Sequence, residues 1–217
     1  MINLRGLIKV REGTTDSDII KEIKPTYGWL LQGLSPQDET VLDIGGNIGC
    51  YSRYAWEQGA RKIYCYEPEE SNFNLLRENV SGTSIKIFNQ ALMSNPESEK
   101  VDFFIPKNEK NMGGCSLTIQ GGRRKVSVKT KRFSDVLEAL RPSIIKMDCE
   151  GAEYDLLLNT PLPDCVKRVC IELHLGKKEW RYNLAPQVIG LFKDWEQVKP
   201  HKITDVNWHT ILRFQRN

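Results

Sequence analysis

Val41-Leu-Asp-Ile-Gly-Gly-Asn-Ile-Gly-Cys-Tyr-Ser52 decides the fold of this 217-residue chain. Thr40 to Ile44 is a short apolar run, too short for a helix and closed by glycines, so it reads as a buried parallel strand. Gly45, Gly46 and Gly49 form a tight turn where backbone can approach a ligand with no Cβ in the way. A helix follows from Tyr51 to Gly59. Strand, glycine turn and helix are the entry unit of a doubly wound α/β sheet, whose ligand lies beyond the carboxyl ends of the strands. The turn is not a dinucleotide fingerprint. Counted from Gly45, the second and third glycine slots of G-x-G-x-x-G hold Asn47 and Cys50. Nor is it a phosphate-binding loop, because no Gly-Lys-Ser/Thr is present.

What fits is an acid followed by G-x-x-x-G: Asp43, Gly45, Gly49. This resembles the first motif of class I S-adenosylmethionine-dependent methyltransferases. That cofactor carries an amino acid end and a sulfonium, which an acid beside the turn suits electrostatically. The next β-rich run, Lys62 to Tyr66, ends at Glu67, 24 residues after Asp43. An acid at the tip of a second strand, about 20 residues past the turn, is placed to accept hydrogen bonds from both ribose hydroxyls. Pro68 closes that strand.

Composition sets the bounds. The length suits one domain spanning residues 1–217, with room for a full core. Hydrophobic residues at 40% and charged residues at 27% are ordinary for a soluble protein, and a net charge of +3 is too small to imply a nucleic-acid partner. The six cysteines are scattered with no C-x-x-C pair. They read as buried thiols in a reducing compartment, and the expected location is cytoplasmic. No apolar run long enough to cross a membrane is present, and the first residues lack a signal-peptide core.

In chain order, residues 1–39 form a helical cover. Asp16 or Ser17 caps a helix over Asp18 to Lys24, halted by Pro25, and a short helix from Tyr27 to Gln32 stops at Gly33. Asp16, Glu22 and Tyr27 are pocket candidates if this cover lids the cofactor. A helix from Glu70 to Val80 and a third strand, Ile85 to Phe88, follow. Gln90, just beyond that strand, can read an adenine edge. Residues 93–132 read as a β-rich insertion with strands at 101–105, 116–119 and 125–130. Its positive charge (Arg123, Arg124, Lys125, Lys129, Lys131 and Arg132) alternates with Val126 and Val128, as on the wet face of a hairpin; receipt of an acidic substrate is the alternative.

A helix from Ser134 to Leu140 leads to the fourth core strand, Ile144 to Met147. Asp148 stands at its tip, where the ligand crevice is expected. Glu150 and Glu153 open the next helix, where acids suit the dipole. Val166 to His174 is the fifth strand, with Glu172 and His174 on one face. Ala185 to Val198 reads as a helix. Lys202–Thr204 and Trp208–Phe214 then close the sheet as an antiparallel hairpin.

The glycine turn, Tyr-Glu-Pro68, Asn89-Gln-Ala-Leu, Lys146-Met-Asp-Cys-Glu-Gly-Ala-Glu153 and Ile-Glu-Leu-His174 together resemble the FkbM family of methyltransferases, from about Arg11 to His174. The most specific piece is Lys146 to Glu153. The resemblance implies a Rossmann-like class I sheet, mostly parallel with an antiparallel terminal strand, and methyl transfer from S-adenosylmethionine to a hydroxyl of a sugar or natural product. It carries Asp43, Gly45, Asn47, Gly49 and Glu67 over as cofactor contacts, to which Gly46, Gln90 and Asp148 are added by position. Gly46 departs from the alanine common there, a change expected to be harmless. A hydroxyl acceptor must lose a proton, and Asp148 and His174 are the candidate bases. No metal is assigned; a divalent ion held by Asp148, Glu172 and His174 is the variant to exclude. The expected partner is a small-molecule or saccharide acceptor, without a membrane. Two rival readings are a nucleic-acid 2′-O-methyltransferase, disfavoured because no lysine follows Asp148 in its helix, and a binding module that has lost turnover. The sequence does not identify the acceptor or the oligomeric state.

Overall fold

The computed structural model describes residues 4, 6–107, 117, 123–175, 179–198 and 209–216. Five parallel strands form the centre: β1 (Thr40–Ile44), β2 (Lys62–Tyr66), β3 (Lys86–Phe88), β7 (Ile144–Met147) and β8 (Arg168–His174). The sheet continues through β10 (His209–Gln215), antiparallel to β8, and β9 (Glu196–Gln197), giving the order β3-β2-β1-β7-β8-β10-β9. The order reverses between β1 and β7, so a crevice opens at their carboxyl ends. This is the doubly wound, mostly parallel sheet with an antiparallel end that the sequence predicts. Strands β1 and β7 are apolar nearly throughout because helices cover both faces.

One face packs under α4 (Phe133–Leu140), α5 (Glu153–Asn159) and α6 (Glu179–Gly190), around Phe133, Leu156, Ile171 and Phe214. The other packs under α1 (Asp16–Tyr27), α2 (Cys50–Glu57) and α3 (Glu70–Asn79), around Leu30, Ile48, Tyr51 and Leu76. Before β7 stands a second, three-stranded sheet: β4 (Ala91–Met93), β6 (Arg123–Arg132) and β5 (Lys100–Pro106), in that order. The insertion is therefore β-rich as expected, with β5 and β6 antiparallel. Strand β4, which pairs parallel to β6, escapes the sequence reading because three residues show no period. On β6 the cationic residues 124, 125, 129 and 131 are exposed, while Val128 is buried. The strand expected at 116–119 falls on residues outside those described, apart from Leu117, and the strand at 202–204 is likewise outside them.

Several element boundaries differ from expectation, most of all in α1 and α6. Helix α1 continues through Pro25 to Tyr27. A proline in the last turn forfeits one intrahelical bond, and burial of Ile23 and Tyr27 outweighs it. Its N-cap is Thr15 without a side-chain bond, because the Asp16 carboxylate pairs with Arg11. Helix α6 ends at Gly190 instead of 198, which frees residues 196–198 to pair with β10.

Candidate active site

The crevice is built from the glycine turn outward. Gly45 has φ +77°, and a Cβ there would lie 1.7 Å from the Asp148 carbonyl oxygen. Only glycine lets the tips of β1 and β7 come this close. A Cβ on Gly46 would lie 2.1 Å from Cys65 Sγ. In this chain the Cys65 thiol occupies the space that an alanine methyl would need, so glycine is the residue that fits. Gly49 precedes α2 in a left-handed conformation. Asn47 (φ 50°) and Glu150 (φ 54°) are also left-handed, and both wall the crevice. Non-glycine residues held this way store strain of about 1–3 kcal/mol, which surrounding structure must sustain.

Two cavities meet at this turn. The first is lined by Tyr66, Glu67, Gln90, Phe103 and Asn72. Glu67 is 5% exposed; its carboxylate accepts from the Asn47 amide (2.8 Å) and the Glu69 amide (2.9 Å). Burial pushes the Glu67 carboxyl up to about 7, against the pull of those two bonds. The second cavity lies beneath α1, lined by Ile23, Tyr27, Tyr51, Lys146 and Glu172. Gly45, Asn47, Asp148 and Glu150 wall both.

Asp148 is thus the hinge of the two cavities. Its carboxylate lies 3.7 Å from Lys146 Nζ and 3.5 Å from the Tyr27 hydroxyl, which also donates to Glu172 at 3.0 Å. Lys146 is 4% exposed and carries positive charge into this site. Its ammonium donates to the Gly45 carbonyl (2.6 Å) and faces Asp43 Oδ1 at 3.3 Å. Burial opposes its charge, but Asp43 and Asp148 more than compensate and raise its pKa. Asp43 itself is fully buried below the turn, accepting from Ser52 Oγ at 2.7 Å, and lines neither cavity.

His174 is brought to Asp148 as expected: ligating atoms of Asp148, Glu150 and His174 all lie within 4.8 Å of one another. Its Nδ1 is 3.0 Å from Glu153 Oε1 and its Nε2 is 3.4 Å from Glu150 Oε2. Burial favours the neutral ring, yet Glu153 and then Glu150 and Asp148 raise His174 to about 10. The imidazole is therefore a cation at neutral pH. Glu172 is raised to about 8 by burial and by Asp148. Of the acids at the start of α5, Glu153 is buried and bonded to the Cys149 amide, whereas Glu150 lies in the turn before the helix.

Among the candidates, Gly45, Asn47, Glu67, Gln90 and Asp148 line the first cavity, Gly46 lines only the second, and Gly49 supports the turn from behind. Asp16 is spent on Arg11, while Glu22 and Tyr27 reach the second cavity. Sequence reasoning missed Lys146 and the insertion's Phe103. Lysine inside the apolar run Ile-Ile-Lys-Met carried a usable signal, since lysine is rarely buried unless paired. Phe103 carried none, because its role depends on where the insertion folds back.

The chain matches the model of the methyltransferase FkbM domain over residues 43–199, more than half its length. It is 23% identical over 172 residues to the hexuronic acid methyltransferase AglP of Haloferax volcanii, covering 77% of this chain and 66% of that protein. It is 26% identical over 213 residues to methyltransferase sdnD of Sordaria araneosa, covering 81% and 80%. The crystal structure of methyltransferase FkbM from Methylobacillus flagellatus superposes with a TM-score of 0.51 at 17% identity, over 81% of this chain and 43% of that one. The chain thus spans less than two thirds of two of these relatives. With the glycine turn, the Glu67 tip and the β1–β7 crevice in one arrangement, this chain belongs to the FkbM family of methyltransferases.

Proposed function

We propose that the protein transfers a methyl group from S-adenosylmethionine to a hydroxyl of a sugar or similar small acceptor. The observation that carries this reading is the meeting of two cavities at Asp148, one beside the ribose-reading acid Glu67 and one under α1. The residues of the first cavity fit the cofactor. Asn47 Oδ1 is buried without a hydrogen-bond partner, as a group awaiting a donor would be. Bound there, the cofactor supplies an electrophilic methyl on a sulfonium. Glu67 holds the ribose and Gln90 the adenine edge. Positioning by the shared turn supplies much of the acceleration. A saccharide acceptor is supported by the name of the Haloferax relative, which acts on a hexuronic acid.

Asp148 takes the proton from the acceptor hydroxyl, with Lys146 holding it in place. His174, held cationic between Glu153 and Glu150, positions the acids and does not accept the proton. Calorimetry with S-adenosylmethionine and with NAD tests the cofactor; tighter binding of NAD would end the reading. Asp148→Asn should slow methyl transfer by about 10²–10⁴ with cofactor affinity kept. A loss of about tenfold or less removes Asp148 as base. A rate that climbs with pH through about 6–7, in wild type but not in His174→Ala, restores His174 to that role.

A further inference from the structure

We propose that the cavity beneath α1 is the acceptor site, and that it selects a hydroxylated acceptor bearing a cationic amino group, such as an amino sugar, over a uronate. The inference rests on the cofactor reading above and adds the place and charge class of the acceptor.

The cavity holds about 230 Å³ and shares Gly45, Asn47, Asp148 and Glu150 with the cofactor side, so its occupant meets the cofactor at Asp148. One wall is apolar, made by Ile19 and Ile23 of α1 and by Tyr51. That suits the carbon face of a sugar ring. Tyr51 is 2% exposed, and its hydroxyl has no hydrogen-bond partner. A buried hydroxyl left this way has lost its hydrogen bond to water without a replacement, which a polar occupant supplies.

Much of the remaining lining is acidic: Glu22, Asp148, Glu150 and Glu172, against Lys146 as its cation among the described residues. Lys146 is shared between Asp148 and the buried Asp43. His174, just behind, is shared between Glu150 and the buried Glu153. Among the described residues, four carboxylates thus line the cavity against one lysine, and the cofactor's sulfonium adds one further positive charge. An ammonium in this cavity offsets the excess, whereas a carboxylate adds to it. Like charges brought together in such a site repel, which selects against the wrong partner.

The test uses the full chain saturated with S-adenosylhomocysteine, whose own binding is measured first by calorimetry. Binding of methyl glucosaminide, methyl glucoside and methyl glucuronide is then followed by ligand-observed NMR in the presence of EDTA. The expected result is glucosaminide binding at least about tenfold tighter than the other two, the factor that ~1.4 kcal/mol supplies. Ile19→Trp, which fills the cavity, should abolish glycoside binding and leave S-adenosylhomocysteine affinity unchanged. Glu22→Lys, at the exposed rim, should narrow the preference. Equal or tighter binding of the glucuronide overturns the inference, as does glycoside binding that survives Ile19→Trp, or no glycoside binding at all. Glucuronide binding that appears only when MgCl2 replaces EDTA also overturns it, and makes the acids a metal site. Failure of S-adenosylhomocysteine to bind brings down the cofactor reading together with this one; the glycoside results bear on this one alone.

Discussion

Gly46 and Cys65 share one space, and the contact sets a measurable constraint. With Cys65 Sγ 2.1 Å from the position of an added Cβ, Gly46→Ala should destabilise the fold by about 1–3 kcal/mol, the usual cost of overpacking. Cys65→Ala in the same chain should recover most of that loss, because the two sites are coupled. Urea denaturation reads both, and an unmoved midpoint for Gly46→Ala would contradict the packing argument. Glu67 makes a second prediction. Its carboxyl is raised from 4.5 to about 7 by burial, so its contribution to stability is complete below 4.5 and is lost as pH rises through 7. Ribose hydroxyls donate best to the ionised form, so S-adenosylmethionine affinity should rise with pH through about 7. Glu67→Gln should weaken binding by about 1.5–3 kcal/mol and flatten that dependence. Titration calorimetry at several pH values decides; an unchanged affinity in the folded variant would mean that Glu67 only ties Asn47 to Glu69.

Between elements, two single side chains hold large pieces in register. Lys146 joins β7 to β1 through Asp43 and the Gly45 carbonyl. Lys146→Met leaves Asp43 buried without its cation and should cost about 3–5 kcal/mol, as broken buried pairs do. Adding Asp43→Asn should restore part of it, whereas equal stability of wild type and Lys146→Met in thermal melts would count against the pair. Arg168 on β8 donates to the carbonyls of Trp29, Leu30 and Gln32, fastening the turn after α1 to the sheet. Arg168→Ala should speed amide exchange across residues 26–32 while leaving Ile144–Met147 of β7 protected. Uniform exchange in both segments would show that the cover is held by its apolar face alone.

Across the whole molecule, three of the groups at the site are shifted upward, while Glu153 is held low by His174 against its burial. Glu67 and Glu172 are raised carboxyls, and His174 is a raised imidazole. Each stabilises the fold fully below its unfolded pKa, and each contribution is lost as pH rises through its folded value. For His174 that window runs from 6.5 to about 10. The melting temperature should therefore fall steadily between neutral pH and about 10, and His174→Ala should remove most of the alkaline part of that fall. A flat profile over this range would mean that His174 is not charged in the folded protein. No helix among the described residues is long and apolar enough to cross a membrane.

The strand–turn–helix entry, the acid at the second strand tip and the placement of Asp148 could all be read from the sequence. Each is written locally, in short apolar runs, glycines and the tip residues that follow them. Boundaries were legible only where local signals went unopposed: Pro25 reads as a stop, but Ile23 and Tyr27 bury enough to carry α1 past it. The charge state of His174, the ion pairs of Lys146, the clash beneath Gly46 and the cavity under α1 came only with the tertiary structure. They rest on contacts such as Lys146 to Gly45, 101 residues apart, and Tyr27 to Glu172, 145 apart. Such contacts have no local signature. Their strength depends on burial, since a buried charge keeps its form only when the fold brings it a partner.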